Sequence, residues 1–370
     1  MRRLRKSYMK RILLTGGGTG GHIYPLIAVA ERLTDADIHY FGPKDVWSAE
    51  LAHANIPISK ITKAKLRRYF SFYNLVDGPK FLWSILEALI KVALFRPQVA
   101  FSKGGPGALP VLFACYIYGI PIIIHESDAV AGLTSRITGK WAAIVEIAWD
   151  EARQFFPNKD VRLVGLPLRR IFIEGRVSAH DARISMECDL NTPVLLVIGG
   201  SQGAERINNF VIENSEELLK RFQIIHQTGS LNYESHRRLW ETARQTIPPE
   251  LQKRYHPYAY LENKMAAAYG AADCALSRSG SALFELAAFG IPSILVPLPE
   301  AAHDHQRVNA YAYAKQGAAI VVEENNLGGT LVINQLEKIL QTETHRAMSM
   351  AARAFAPLDA AEKIARDILK

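Results

Sequence analysis

A chain of 370 residues, 49% apolar and 22% charged, is globular and long enough for two or three domains. Its net charge of +8 points to an anionic partner: a nucleotide, a nucleic acid or an acidic membrane face. Three well-separated cysteines, Cys115, Cys188 and Cys274, fit neither a disulfide framework nor a zinc spacing, which suits the cytoplasm.

The chain opens on the basic stretch MRRLRKSYMKR, but only ILL follows before a run of glycines. No signal peptide is expected from that pattern, and Met9 is an alternative start that would make residues 1–8 a tail. RILLT (11–15), IHYFG (38–42), VAFS (99–102), PIIIH (121–125) and AIVEIA (143–148) read as buried strands. The intervening PLIAVAERL, FLWSILEALIKVALF and ALPVLFACYIYG read as helices. This βαβ alternation predicts a parallel sheet with helices on both faces. The longest apolar segment, residues 81–95, is too short to span a bilayer and carries Glu87 and Lys91.

At GLPLRR (165–170) the alternation pauses, and a polar stretch runs to about residue 191. Then PVLLVIGGSQGAERINN repeats the pattern of ILLTGGGTGGHIYP: an apolar strand, a glycine-rich turn, a helix. QIIHQTG (223–229), DCALSRSG (273–280) and SILVPLP (293–299) supply further strands. The fold class is therefore α/β, with two doubly wound Rossmann-like domains joined near 165–180. LDAAEKIARDIL (358–369) closes the chain as a helix with an Asp359…Glu362 capping pattern.

Gly16, Gly18 and Gly21 match G-x-G-x-x-G, a weak dinucleotide signal by itself. A dehydrogenase also needs an acid at the end of the second strand, and IHYFGP ends in Gly42-Pro43. The glycines let the backbone turn sharply and approach a ligand, and the helix behind them aims free N–H groups and a positive dipole end at the same place. His22 falls at that helix start, where the dipole disfavours imidazolium. A neutral imidazole there suits a general base; the alternative is a structural histidine. HDH at 303–305 lacks a third ligand at a matching spacing, so no metal site is expected.

Five blocks carry a resemblance. TGGGTGGHIYP, SKGGPGALP (102–110), IIIHESDAVAGLTSR (122–136), GGSQGAERINN (199–209) and SRSGSALFELAAFGIPSILVPLPEAAHDHQRVNAYA (277–312) stand in the order found in the MurG family. That family comprises the UDP-N-acetylglucosamine transferases that form lipid II, and the resemblance spans residues 10–368. It implies the glycosyltransferase B fold, two Rossmann-like domains facing across a cleft. The expected division is 1–166 for the acceptor and membrane-facing domain and 167–345 for the donor domain. The C-terminal segment 346–370 is expected to pack back on the first. The implied reaction is inverting: GlcNAc moves from UDP-GlcNAc, a substrate, to the 4-hydroxyl of the MurNAc unit of undecaprenyl-linked lipid I. No cofactor and no metal is strictly required.

By the same resemblance, Thr19, Gly20, Gly21 and His22 face the acceptor, with His22 as catalytic base and Glu126 as its understudy or orienter. Asp128 contacts the donor sugar, or else caps a turn. Arg169 holds a diphosphate, whose oxygens its planar fork would pair, or else is a solvated surface group. Ser201 and Gln202 donate to the donor diphosphate. The backbone amides of Ser281, Ala282, Leu283 and Phe284 surround it. Glu285 accepts from the uridine ribose, unless it is an ordinary helix-surface acid. Gln306 bonds the donor sugar, and a backbone edge near Leu261 reads uracil. Several departures blur individual contacts: Pro106 replaces an aromatic residue, GLPLR replaces GNPVR, SRSGSALFE is one residue short and YLENKM one residue long.

Residues 60–96 hold eight Lys/Arg against Asp77 and Glu87, interleaved with Tyr69, Phe70, Phe72, Tyr73, Phe81, Trp83 and Phe95. This mixture suits an anionic lipid surface, or RNA, or a core helix with a charged edge. A lipid-linked acceptor favours the membrane and no nucleic acid, at the cytoplasmic face as a peripheral protein, with wall-synthesis proteins as further partners. Rival readings are another lipid-acceptor sugar transferase, a UDP-GlcNAc epimerase and a non-catalytic sugar-nucleotide-binding subunit.

Overall fold

The run Ile12-Leu13-Leu14 is wholly buried because it forms the centre of a sheet covered on both sides. Ile12 and Leu14 face one core, with Ile23, Leu26 and Val29 of the helix Gly20–Ala30. Leu13 faces the other, with Ala88 and Val92 of Asn74–Phe95 and Val111 and Cys115 of Leu109–Ile117. The strand period of two explains this division. The computed structural model describes residues 9–17, 20–44, 47–63, 74–200, 203–301 and 304–370, with no side chains for 74–78.

The chain divides into two units, Met1–Arg169 with Leu358–Lys370, and Arg170–Pro357. The first holds strands β1 (Lys10–Thr15), β2 (Ala36–Gly42), β3 (Ile58–Lys60), β4 (Val99–Ser102), β5 (Ile122–Glu126), β6 (Ile144–Ile147) and β7 (Asp160–Leu163). They lie in the order β3-β2-β1-β4-β5-β6-β7, with every neighbouring pair parallel. The second holds β8 (Val194–Ile198), β9 (Gln223–Gln227), β10 (Tyr255–Tyr258), β11 (Cys274–Ser277), β12 (Ser293–Leu295) and β13 (Ala319–Val321). Their order is β10-β9-β8-β11-β12-β13, again parallel throughout. In each sheet the strand order reverses once, beside β1 and β4 in the first and beside β8 and β11 in the second. Ligands of doubly wound sheets bind outside the carboxyl ends of the strands at that reversal.

Two boundaries differ from the sequence reading. The junction falls after Arg169 rather than Leu166, and the chain returns at Leu358 rather than Arg346. The helix Thr342–Phe355 stays with the second unit because its apolar face packs on Ala282–Phe289. Phe355 lies 5.3 Å from the Phe284 ring and 4.9 Å from that of Tyr313. Only Ala360–Leu369 returns, placing Ile364, Ala365 and Ile368 in the core beneath Gly20–Ala30. Arg32 pairs with Glu362 at 2.7 Å, and Arg162 with Asp367 at 2.6 Å. The expected Asp359 cap does not form: its carboxylate instead pairs with Lys363, one turn on, at 2.9 Å.

Candidate functional site

In the first unit the reversal brings together the loops after β1 and β4. Thr15 stands opposite Ser102, and Ser102 opposite Ile124 of β5. Gly16 and Gly17, Lys103 to Gly105, and His125 and Glu126 therefore share one end of the sheet. The glycines fit a steric need as well as a ligand. Gly105 has φ +87°, and a Cβ there would stand 2.3 Å from the Gly17 carbonyl oxygen. The two loops thus touch backbone to backbone. Gly16 is held in turn by the buried Tyr40 hydroxyl, which donates to its carbonyl.

His22 is the third residue of the helix Gly20–Ala30 and is half-buried. Burial depresses its pKa to about 4, with the Lys103 ammonium adding to the effect and the Asp128 carboxylate opposing it. The ring is neutral at neutral pH, as a base at rest must be. Two residues on, Tyr24 lies under the Arg169 guanidinium, 4.1 Å from its ring centroid. The stack places this arginine beside the same helix.

Glu126 ends β5 almost wholly buried. One carboxylate oxygen accepts the Asp128 N–H at 3.0 Å, the other the Gly132 N–H at 3.1 Å. Its pKa is raised, by burial first and then by Asp128, against the pull of Lys103. With both oxygens engaged, Glu126 clasps the loop 127–132, which fits the orienting role better than proton removal from a substrate. Asp128 is half-buried on that loop.

The second unit repeats the plan. Ile198 pairs with Ser277, so the loops after β8 and β11 adjoin. Gly203 has φ +81°, and a Cβ would meet the Thr228 carbonyl oxygen at 2.2 Å. After β11, the Ser279 hydroxyl donates to the Gln306 carbonyl at 2.7 Å, and the Asn309 amide donates to Ser279 O at 3.1 Å. The Gln306 side-chain oxygen accepts the Leu298 N–H at 3.1 Å, so a sugar would meet the other end of that amide. Arg278 is structural: it donates to the carbonyls of Val296 and Pro297 and pairs with Glu324.

Two of the expected contacts involve backbone groups that are already hydrogen-bonded. The amides of Leu283 and Phe284 already donate to the carbonyls of Gly280 and Ser281, both at 3.1 Å. The amides of Ser281 and Ala282 stand at the start of Ala282–Phe289, ahead of these turn bonds. Leu261 is also engaged at both backbone groups: its N–H donates to the Gln227 side chain at 3.1 Å, and its carbonyl accepts from Lys264 at 2.7 Å. The Leu261 carbonyl keeps a second lone pair, so it could still accept from a uracil edge. Glu285 lies in the first turn of the same helix, and its carboxylate accepts the Tyr269 hydroxyl at 2.5 Å. Thr19, Ser201 and Gln202 lie outside the described residues.

Lys103 and Tyr269 join these sites through contacts that the sequence does not show. Lys103 stands within SKGGPGALP, and its place beside β1 follows once β4 is known to pair there. Tyr269 has no sequence signal, because its contact with Glu285 arises from the packing of two helices.

Two parallel sheets, each with a glycine turn and a helix start at its reversal, make a double Rossmann-like protein suited to anionic ligands. The chain belongs to glycosyltransferase family 28: residues 12–147 match the family's N-terminal domain and residues 194–368 its C-terminal domain. A relative from Clostridium kluyveri is 34% identical over 96% of this chain and 98% of its own length. That relative is named UDP-N-acetylglucosamine--N-acetylmuramyl-(pentapeptide) pyrophosphoryl-undecaprenol N-acetylglucosamine transferase. The crystal structure of Acinetobacter baumannii MurG superposes with a TM-score of 0.75 at 26% identity, covering 97% of this chain and 99% of that one. A Neisseria meningitidis UDP-GlcNAc 2-epimerase bound to UDP-GlcNAc reaches a TM-score of 0.67 at 13% identity, over 98% of this chain and all of its own (100%). At that identity the likeness concerns the fold alone.

Proposed function

We propose that this chain transfers GlcNAc from UDP-GlcNAc to the MurNAc 4-hydroxyl of lipid I, forming lipid II and UDP with inversion at the sugar. The near-full-length identity to the named Clostridium kluyveri transferase carries the reading. The chemistry at the two sheet reversals fits it. In the first unit His22 removes the proton of the attacking hydroxyl, while Glu126 fixes the loop that bears Asp128. In the second, the amides of Ser281 and Ala282 receive the donor diphosphate and Glu285 receives the ribose hydroxyls. Helix starts and Arg169 would offset the charge of departing UDP, so no metal is strictly required. Ser201 and Gln202 would add donors after β8, and Gly20, Gly21 and Thr19 would face the acceptor. UDP release that depends on added lipid I analogue tests this reading. A 2-epimerase would form UDP-ManNAc or release UDP without any acceptor.

The acceptor's lipid chain calls for a surface that meets a membrane. Among the described residues no helix is long and apolar enough to cross one. The helix Asn74–Phe95 instead leaves Leu82, Trp83, Leu86, Ile90 and Leu94 exposed, Leu94 at 78%. Leu82, Leu86, Ile90 and Leu94 recur every four residues and, with Trp83 beside them, form one stripe. Leu109–Ile117, which packs against it, adds exposed Tyr116 and Ile117, followed by Tyr118. Among the basic residues nearby, Lys91 donates to the Lys60 carbonyl. Lys65 to Tyr73, which carry much of the expected aromatic-basic mixture, lie outside the described residues. The stripe and the basic stretch would seat the protein on the anionic cytoplasmic face as a peripheral protein. Replacing Trp83, Ile90 and Leu94 with serine is expected to abolish flotation with phosphatidylglycerol vesicles while sparing turnover of a short-chain soluble acceptor. A variant that floats like the parent places the membrane face elsewhere.

A further inference from the structure

Lys103 is only 2% exposed, and its Nζ has no hydrogen-bond partner among the described residues. A buried ammonium without an acceptor is strongly unfavourable, and leucine or methionine would fill the same space without that penalty. The surroundings suggest what the charge is for. Lys103 leaves β4 at the sheet reversal, its N–H donating to Thr15 O at 3.1 Å, and a Cβ on Gly16 would stand 3.5 Å from its own Cβ. Four titratable groups face it from the elements around: His22 on the helix after β1, His125 and Glu126 at the end of β5, and Asp128 on the loop beyond. His125 is already fixed, its Nε2 bonded to the Gly165 carbonyl at 2.8 Å.

We propose that Lys103 is a positioning residue for the transfer reaction: its buried charge, set among His22, Glu126 and Asp128, offsets the two carboxylates that the site places beside the imidazole. The site needs both acids, Glu126 to clasp the loop and Asp128 for its ligand. Asp128 favours a proton on the imidazole, against the burial of the ring, and Lys103 opposes Asp128. The effects on each group agree with this balance. Lys103 lowers His22 while Asp128 raises it, and the two carboxylates support the lysine against a burial that brings it down to about 8.

The consequence for turnover rests on the reading of His22 as the base; the electrostatic claim does not, so the test reads the ring directly. Histidine-labelled protein is titrated by NMR, with the His22 resonance identified from its loss in His22→Gln. In Lys103→Met the His22 pKa is expected to rise by about one unit or more from its low parent value. The acid limb of kcat should move with it. Lys103→Arg, which keeps the charge, should titrate like the parent. An unchanged His22 pKa in folded Lys103→Met, or a shift in Lys103→Arg equal to that in Lys103→Met, overturns the proposal. Should Lys103→Met fail to fold, the parent protein decides: the neutral His22 ring should show a second inflection near the pH at which Lys103 loses its proton, and a flat response there overturns the proposal as well. If His22→Ala retains turnover, the base assignment fails while the titration result stands.

Discussion

His22→Ala lowers kcat by about 10²–10⁴-fold, the range for loss of a general base. UDP-GlcNAc affinity should barely move, because most of the residues assigned to the donor lie in the second unit. The imidazole sits at a helix start, where burial first and the Lys103 ammonium second depress its pKa to about 4. The sign follows from the base acting in its neutral form. Activity carried by His22 is complete well above pH 4 and is lost as pH falls through that value. The variant should lose this acid limb altogether. Steady-state kinetics from pH 4 to 8, donor binding by calorimetry and circular dichroism check the three parts. A folded variant within about threefold of the parent, far below the range for a lost base, would reduce His22 to a shaper of the loop. Asp128 would then be the next candidate, since the oxygens of Glu126 are engaged with Asp128 and Gly132.

Glu285→Ala raises the UDP-GlcNAc KM by about tenfold to a hundredfold, the equivalent of about 1.5–3 kcal/mol for hydrogen bonds to a charged group. The acceptor KM should move little. The carboxylate stands in the first turn of Ala282–Phe289, steadied by the Tyr269 hydroxyl. Tyr269 is itself pinned between the Phe172 and Phe289 rings, each 5.5 Å away. Tyr269→Phe keeps that packing and removes only the hydroxyl, so it should raise the donor KM in the same direction by a smaller factor. Initial rates over a donor series at saturating acceptor measure both. An unchanged donor KM in folded Glu285→Ala would remove this residue from the site.

The central strands could be read from the chain because they are buried on both faces, and RILLT or PVLLVI has no other use. The strands that escaped notice are β3, β7, β10 and β13, which lie at the sheet edges. Edge strands are short and tolerate what central ones reject. β10 reads Tyr-His-Pro-Tyr, with a proline in mid-strand, and β7 reads Asp-Val-Arg-Leu. The capping pattern at Asp359 misled for a related reason: the acids of that helix answer to Lys363 and Arg32, and sequence spacing does not show who the neighbours are. The site shows the same division. Glycine turns and helix starts are local and were visible, as was His22 behind them. The clasp of Glu126, the engaged amides of Leu283 and Phe284, and the setting of Lys103 and Tyr269 depend on contacts between segments far apart in the chain.

The most direct test of the account is product analysis after incubating the protein with UDP-GlcNAc labelled in the sugar and a lipid I analogue. The account predicts that label moves to the lipid in step with UDP release, joined to the MurNAc 4-hydroxyl by a β-1,4 bond, the inverted configuration. UDP-ManNAc as the product, an α-linked sugar, or donor binding without any transfer would contradict it.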